Sequence, residues 1–412
     1  MAADDVTDFS VYYFNEGLRG VPQLSGTSGA LIAVLDACLI TGFGTVSVTS
    51  LTVADGVATA TVSAGNSFNP HHIILIEGAS DPALNGRHRV LLDGNSSTSF
   101  SFKTTAANGP ASGTISAKYA PVPGWEKPFS ATNKAVYRAT TGNRFYYRVD
   151  DSLPEKYVAE IRGYETMASV DVGEAPFPLL SLVSTIEKSN AANATGKFWD
   201  LVADCRAVMF GAQQYPAIGA VPFATPARYF GEMVSLAPNG DAWCSAVLSS
   251  TEKLTGMNLH TGGSIFHSYR GTSTSYSGAV ARGVSGVGGA IDAQCMAVFG
   301  NKGGVISGQD AVFGPAPSAV DGQLYFSPVY LAEGSAGPAR AVVPGAQYVP
   351  HTGVNGMLGV RTIITPAAGP LAGRQLLALC CSSSSSGAPG SNSSNSSSGR
   401  YLMDITGPWR TA

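Results

Sequence analysis

Between Gly44 and Lys103, apolar and polar side chains alternate in short runs broken by turn-forming dipeptides. The runs Thr45–Leu51, Val57–Val62, His71–Glu77, Arg87–Leu92 and Thr98–Lys103 read as strands. Val46 with Val48, and Phe100 with Phe102, lie two residues apart and so share a sheet face. Asp55-Gly56 and Asn85-Gly86 stand at two junctions and supply the positive φ values that two-residue hairpin turns need. The stretch predicts consecutive hairpins, a module running to about Lys118, with little convergent polar chemistry.

Upstream, residues 1–24 read as an extended arm with a strand at Phe9–Phe14, whose Phe9, Val11 and Tyr13 share one face. The period then changes from two to 3.6 residues. Leu31, Leu35 and Cys38, flanked by Ile32 and Leu39, form the apolar stripe of a helix. Thr27 or Ser28 is placed to cap it, and Gly42 to end it.

Downstream, Ala120-Pro121-Val122-Pro123-Gly124 marks the exit from the hairpin module. Strand alternation resumes at Lys134–Ala139, Arg144–Val149, Val158–Tyr164, Trp199–Phe210, Tyr229–Leu236 and Ala242–Leu248. It continues at Ser264–Tyr269, Met296–Phe299, Gln323–Tyr330, Ala339–Val343, Arg361–Thr365 and Leu376–Cys381. Many short strands separated by Pro or Gly clusters predict a mainly all-β chain, a β-sandwich or barrel. Ser382–Gly399 is almost pure Ser, Gly and Asn, the composition of a solvated, flexible hairpin tip. Strand character returns at Arg400–Thr406, and Trp409 closes the chain against the body. The expected organisation is an arm and helix (residues 1–43), an inserted module (44–118) and a main β-sandwich domain (119–412) with its tip at 382–399. Arm and helix belong to the main domain, the helix packing on the sheet that contains Tyr137 and Val149.

Composition sharpens this picture. Charged residues are 13% of the 412, about half the usual share, while hydrophobic residues reach 44% and glycines number 49. Ample apolar material with a net charge of −3 excludes a disordered chain. A surface poor in charge suits coverage by other subunits. No basic run is present, which argues against nucleic-acid binding. The most apolar run, Ala30–Ile40, contains Asp36 and is far too short to span a bilayer, so no membrane insertion is expected. Met1-Ala2-Ala3-Asp4-Asp5 lacks the basic and apolar parts of a secretory signal, which leads us to expect synthesis in a cytosol.

Candidate chemistry is thin. Cys38, Cys205, Cys244, Cys295, Cys380 and Cys381 lack CxxC spacing and read as small hydrophobes, not as zinc ligands or a disulfide framework. His71 and His72 face opposite sides of a strand, so at most one could join His88, with no acidic residue placed to complete a metal site. Asp150-Asp151, with Glu160, Glu165 and Asp171 nearby, offers carboxylates for glycan cleavage, but strand-end Asp pairs are more commonly turn formers. His260 and His267 lie near Ser264, Ser268, Ser273 and Ser275, with Asp292 downstream, yet no Gly-x-Ser-x-Gly elbow accompanies them. The Gly283–Gly289 cluster lacks the Gly-Lys-Ser/Thr of a phosphate loop. Tyr146, Tyr147, Tyr157, Tyr164, Tyr269, Tyr276, Tyr325 and Tyr330 would suit protein or sugar contacts wherever they are exposed. No catalytic, cofactor-binding or metal-ligating residue is assigned, and no cofactor is expected.

Several segments taken in order carry a resemblance. They are Leu31-Ile32-Ala33-Val34-Leu35-Asp36-Ala37-Cys38, Gly124-Trp125-Glu126-Lys127-Pro128-Phe129-Ser130 and Asn133-Lys134-Ala135-Val136-Tyr137-Arg138. Tyr147-Arg148-Val149-Asp150-Asp151, Arg162-Gly163-Tyr164-Glu165-Thr166-Met167 and Lys188-Ser189-Asn190-Ala191-Ala192-Asn193 follow. Over roughly residues 7–250, and again at Gly399–Trp409, the chain resembles a family of virion structural proteins of tailed bacteriophages and prophages of proteobacteria. Ile74-Leu75-Ile76-Glu77-Gly78-Ala79, Leu84-Asn85-Gly86 and Ser99-Phe100-Ser101-Phe102 resemble the small FCCH-like β-barrel inserted into many phage tail proteins. Here Ser67-Phe68-Asn69-Pro70 stands where that module usually approaches its third strand through His-Gly-Leu.

The resemblance implies a non-enzymatic virion component at a tail tip, baseplate or fibre attachment, and transfers no catalytic residues. Its implied partners are copies of itself, as a trimer or hexamer, and other virion proteins, with a host surface receptor as a further candidate. A capsid decoration protein and a receptor-binding fibre protein are alternatives within the same class. A glycan-degrading tailspike enzyme is the alternative of another class.

Overall fold

In a computed structural model of the protein, the described residues are 6–155, 157–189, 191–212, 227–250, 276–301, 315–334, 337–351, 354–359, 361–379 and 400–410. The fold is mainly β, with antiparallel sheets and one short helix near the N-terminus.

Residues 43–119 form two four-stranded sheets. One orders Phe43–Ser47, Gly113–Tyr119, Ile73–Ala79 and Gly86–Arg89; the other orders Ser99–Lys103, Val57–Thr61, Ser50–Ala54 and Gly109–Pro110. The Asp55-Gly56 turn forms as its chemistry requires, with φ of 51° and 76° and Ala54 opposite Val57. Asn85-Gly86 behaves differently from the two-residue turn expected there. Asn85 ends a 3-10 turn at Pro82–Leu84, and its side chain bonds both the N–H (3.0 Å) and the carbonyl (2.7 Å) of Ala79. The run Thr45–Leu51 also divides, because the chain turns a corner at Val48-Thr49 and passes from one sheet to the other. Val46, Leu51, Val53, Ile74, Ile76, Phe100 and Phe102 fill the interior. Phe68 closes it, edge-on to Phe100 at 5.2 Å and to Tyr119 at 4.9 Å.

The module enters and leaves through one strand pair, Phe43 lying opposite Tyr119 with their rings stacked at 5.0 Å. Its core is continuous with that of the body: Phe14 of the arm meets Phe43 edge-on at 5.6 Å, and Tyr13 stacks on His72 at 6.0 Å.

Among the described residues, the body is one nineteen-stranded antiparallel ladder. Its first part is a meander of Trp125–Ala131, Lys134–Ala139, Tyr146–Asp150, Val158–Ser169 and Val172–Phe177. Its second part runs from the arm strand Tyr12–Asn15 through Trp199–Ala203, Ala207–Ala212, Ala227–Glu232, Ser245–Ser250 and Tyr276–Val280. The short strand Thr185–Glu187 joins the parts, pairing with Val158–Glu160 and with Ser250. Rings from both parts meet in the core, Phe230 lying 5.9 Å from Trp125 and 5.3 Å from Tyr147. The ladder continues through Ile291–Asn301, Ser327–Glu333 and Ala339–Val349 to Arg400–Asp404, Leu376–Ala378 and Ile363–Ile364. Leu376–Ala378 pairs with Arg400–Asp404, so the strands flanking the Ser/Gly/Asn segment are neighbours as expected. That segment, Cys380-Cys381 and the expected strand Ser264–Tyr269 lie outside the described residues.

Other strand readings change: Tyr229–Leu236 is broken into Ala227–Glu232 and Val234–Ser235, Gln323–Tyr330 shifts to Ser327–Glu333, and Arg361–Thr365 shortens to Ile363–Ile364. Trp199–Phe210 is a hairpin, turned at Asp204-Cys205-Arg206, where Asp204 Oδ1 accepts N–H bonds from Arg206 (2.9 Å) and Ala207 (2.8 Å). Both strands are buried on both faces, so no polar alternation marked the break. The arm strand is Tyr12–Asn15, and its fully buried pair is Tyr12 and Phe14, while half-buried Tyr13 lies on the opposite face, packs against a second core cluster and donates to Asp200 Oδ1 at 2.8 Å.

The helix spans Ala30–Asp36 and continues as a π turn, Ala37–Thr41, before Gly42 at φ 70°. Leu31, Leu35, Cys38 and Leu39 are buried, as the stripe required. The cap comes from neither Thr27 nor Ser28. Asp151, 120 residues away, accepts the Leu31 N–H on Oδ2 at 2.9 Å. Tyr137 Oη donates to Asp36 Oδ1 (2.9 Å) and Lys127 Nζ to Asp36 Oδ2 (2.7 Å), laying the helix on the sheet that holds Tyr137 and Val149.

Candidate functional site

The acidic group singled out in the sequence is divided by the pleat. Asp151 turns inward, where Oδ1 accepts from Lys188 Nζ and neither side chain has any exposure. Burial pushes the Asp151 carboxyl up and the Lys188 ammonium down, against the pull of their mutual attraction. Asp150 turns the other way. Its Oδ2 meets Arg148 Nη2 at 2.7 Å and its Oδ1 accepts the Ser152 N–H at 3.0 Å. Burial alone would raise Asp150, but the bonds from Ser152 and Arg148 outweigh it and hold the carboxyl below its ordinary value.

Arg148 and Lys134 also reach Asp171, both at 2.8 Å, and hold it below the carboxylate range. Asp150 and Asp171 are therefore brought together with cations between them. A glycosidase acid needs a raised pKa, and here both members are depressed. Glu160 pairs with Arg162 at 3.1 Å, and Glu165 takes both ends of the Arg282 fork at 2.6 and 2.7 Å.

The histidines separate as well. His72 is a core residue whose Nδ1 accepts the Asn69 N–H at 3.3 Å, edge-on to Tyr119 at 5.3 Å. Burial, then His71 and Arg89, lower its pKa to about 4. The His88 ring lies on Phe102 at 4.2 Å, with Nε2 3.0 Å from the Leu84 carbonyl. Among the described residues no three His, Cys, Asp or Glu side chains group as metal ligands. His260, His267, Ser264, Ser268, Ser273 and Ser275 lie outside the described residues. Of the tyrosines, Tyr147 and Tyr164 are buried, whereas Tyr146, Tyr157, Tyr325 and Tyr330 keep some exposure.

Inward ion pairs are the feature that sequence reading missed. Arg228 forks onto Glu187 at 2.8 and 2.7 Å with side chains 1% and 0% exposed. Arg410 reaches Asp204 at 2.7 Å, tying the C-terminal segment to the Trp199–Ala212 hairpin. Arg340 forks onto Asp241 at 2.7 and 3.0 Å. Arg361 forks onto Glu16 at 2.8 and 2.6 Å and reaches Asp200 at 2.8 Å, holding the arm down. Arg228 standing between Ala227 and Tyr229 in an apolar strand is the signal that could have found the first of these.

One basic cavity of about 420 Å³ opens at the seam where the barrel meets the arm. Arg87, His88 and Arg89 line one side, Lys103, Thr104 and Thr105 the other, and Val6 of the arm borders it. No described helix is long and apolar enough to cross a membrane. No family model and no curated protein matches the chain.

Proposed function

We propose that the chain is a non-enzymatic structural component of a tailed-phage virion, at the tail tip, baseplate or fibre attachment. It acts through protein–protein contacts, as a trimer or hexamer and with other virion proteins. The observation that carries this reading is the distribution of charge. The buried pairs of Lys188 and Arg410 and the half-buried pair of Arg361 clamp helix, C-terminal segment and arm onto one ladder. Large apolar side chains meanwhile stand out on loops: Val320 is 95% exposed, Val287 79% and Leu180 69%. A protein that buries several of its ion pairs and shows apolar loop tips is suited to being covered by neighbours. The resemblance over residues 7–250 points the same way.

The barrel gives the test. Because Phe43 and Tyr119 are strand partners, residues 45–118 can be replaced by two glycines without moving the flanking chain. The variant is expected to be soluble and folded, with a lowered unfolding midpoint because Tyr13 and Tyr119 lose their covering rings. It is also expected to be absent from purified particles when supplied in place of the intact protein. Incorporation at the wild-type level would show that the barrel makes no assembly contact, and an insoluble product would place it in the core of the body.

A further inference from the structure

We propose that Asn239 is a self-modification site, at which the side-chain amide deamidates without an enzyme to give aspartate or isoaspartate. The Gly240 nitrogen attacks Asn239 Cγ, the Cγ–Nδ2 bond breaks, and Nδ2 leaves as ammonia with the Gly240 amide proton. Water then opens the cyclic imide at either carbonyl, and isoaspartate results when the backbone runs on through the side-chain carbon. The step needs a small residue after the asparagine, an amide that is not held, and a backbone free to turn. The chain has four Asn-Gly steps, at Asn85, Asn108, Asn239 and Asn355. The fold locks two of them. Asn85 Oδ1 accepts the Ala79 N–H at 3.0 Å and Nδ2 donates to the Ala79 carbonyl at 2.7 Å, with Gly86 paired to Ile76. Asn108 Oδ1 accepts the Asp55 N–H at 3.0 Å, with Gly109 paired to Val53. The Asn355 side chain lies outside the described residues. Asn239 and Gly240 are exposed, and the Asn239 amide has no hydrogen bond among the described residues. Gly240, at φ 78°, has no heavy atom within 4 Å of the place a Cβ would take, so nothing crowds the attack. The bond that must open is an exposed turn bond, from the Gly240 N–H to the Ala237 carbonyl at 3.0 Å.

The two products differ in what they do to the fold. Both ends of the turn are tied to the strand Ala339–Val349. On one side Val234 lies opposite Val342, Ser235 lies opposite Ala341, and the Leu236 N–H bonds the Arg340 carbonyl at 3.0 Å. On the other, Asp241 takes the Arg340 fork at 2.7 and 3.0 Å, the two side chains being 2% and 4% exposed. Arg340 also reaches Glu333 Oε1 at 2.7 Å and the Arg282 carbonyl at 2.6 Å. Isoaspartate lengthens the backbone by a methylene between these two anchors. Neither anchor can slide to take up the length, so the Asp241–Arg340 pair is loosened, and a buried pair is costly to break. Ordinary aspartate adds an exposed, screened charge and no length, so it leaves the pair in place.

The test is to incubate the full chain in warm, mildly alkaline buffer and follow each Asn-Gly step by peptide mapping and mass spectrometry. In the folded chain Asn239 should convert about tenfold or more faster than Asn85 and Asn108, the effect of holding an amide by about one net hydrogen bond. In denaturant the three should convert at similar rates, which separates the fold from the dipeptide itself. Equal rates in the folded chain, or no conversion at Asn239 there, overturns the proposal. The isoaspartate fraction, separated by ion exchange, should unfold at a lower denaturant midpoint than the starting protein, whereas Asn239→Asp should unfold with it. An isoaspartate fraction as stable as the starting protein, or an equal loss in Asn239→Asp, removes the strained Asp241–Arg340 pair from the account. Neither readout needs a particle, so failure here leaves the assembly reading standing.

Discussion

Asp151→Ala is expected to destabilise the chain by about 3–5 kcal/mol in chemical denaturation, among the largest losses available to a single substitution. Two costs combine. Lys188 would keep its ammonium in a place with no solvent exposure, facing the Thr27 carbonyl but no anion. The Leu31 N–H would lose its acceptor at the start of the helix, a loss typically worth about 1 kcal/mol. The double variant Asp151→Leu/Lys188→Met removes both charges and should recover most of the loss, leaving the cap deficit. That recovery is implied by the direction of the shifts, since burial outweighs attraction for both members of the pair. A single variant as stable as the wild type would mean that Asp151 anchors nothing. The same experiment bears on the tailspike alternative, in which removing the carboxylate would abolish cleavage and leave the fold intact.

Acid is expected to open the barrel first, through His72. Its folded pKa of about 4 lies below the ordinary histidine value, because burial, His71 and Arg89 all disfavour the charged ring. A depressed folded pKa contributes stability that is fully present above about 6.5. That stability is lost progressively as pH falls toward 4. The difference amounts to about 3 kcal/mol at full protonation. Geometry gives the same sign: Nδ1 accepts the Asn69 N–H, so a protonated ring would face a donor with a donor. Denaturation midpoints between pH 7 and 4 should fall steeply in the wild type and much less in His72→Phe. Parallel slopes for the two proteins would remove His72 as the cause.

Local chemistry was legible in the sequence wherever it acts over a few residues. Asp55-Gly56 turns because only permissive residues take positive φ, and Phe100 with Phe102 face inward because strands repeat in twos. The helix stripe from Leu31 to Leu39 held for the same reason. What stayed hidden depends on partners far apart in the chain. Asp151 caps a helix 120 residues earlier, and Arg361 clamps Glu16 across 345 residues, distances at which periodicity carries no information. Fully buried strands such as Trp199–Ala203 and Ala207–Ala212 show no alternation, so a hairpin read as one strand. Arg87 and Lys103 look like separate solvated charges until two strand ends bring them to one cavity.

The central claim, that this is a virion protein acting by assembly, is tested most directly by imaging gold-labelled particles that carry an affinity-tagged copy. Label at the tail end, in a threefold or sixfold arrangement, is the predicted result. Purified infectious particles without the tagged protein would contradict it.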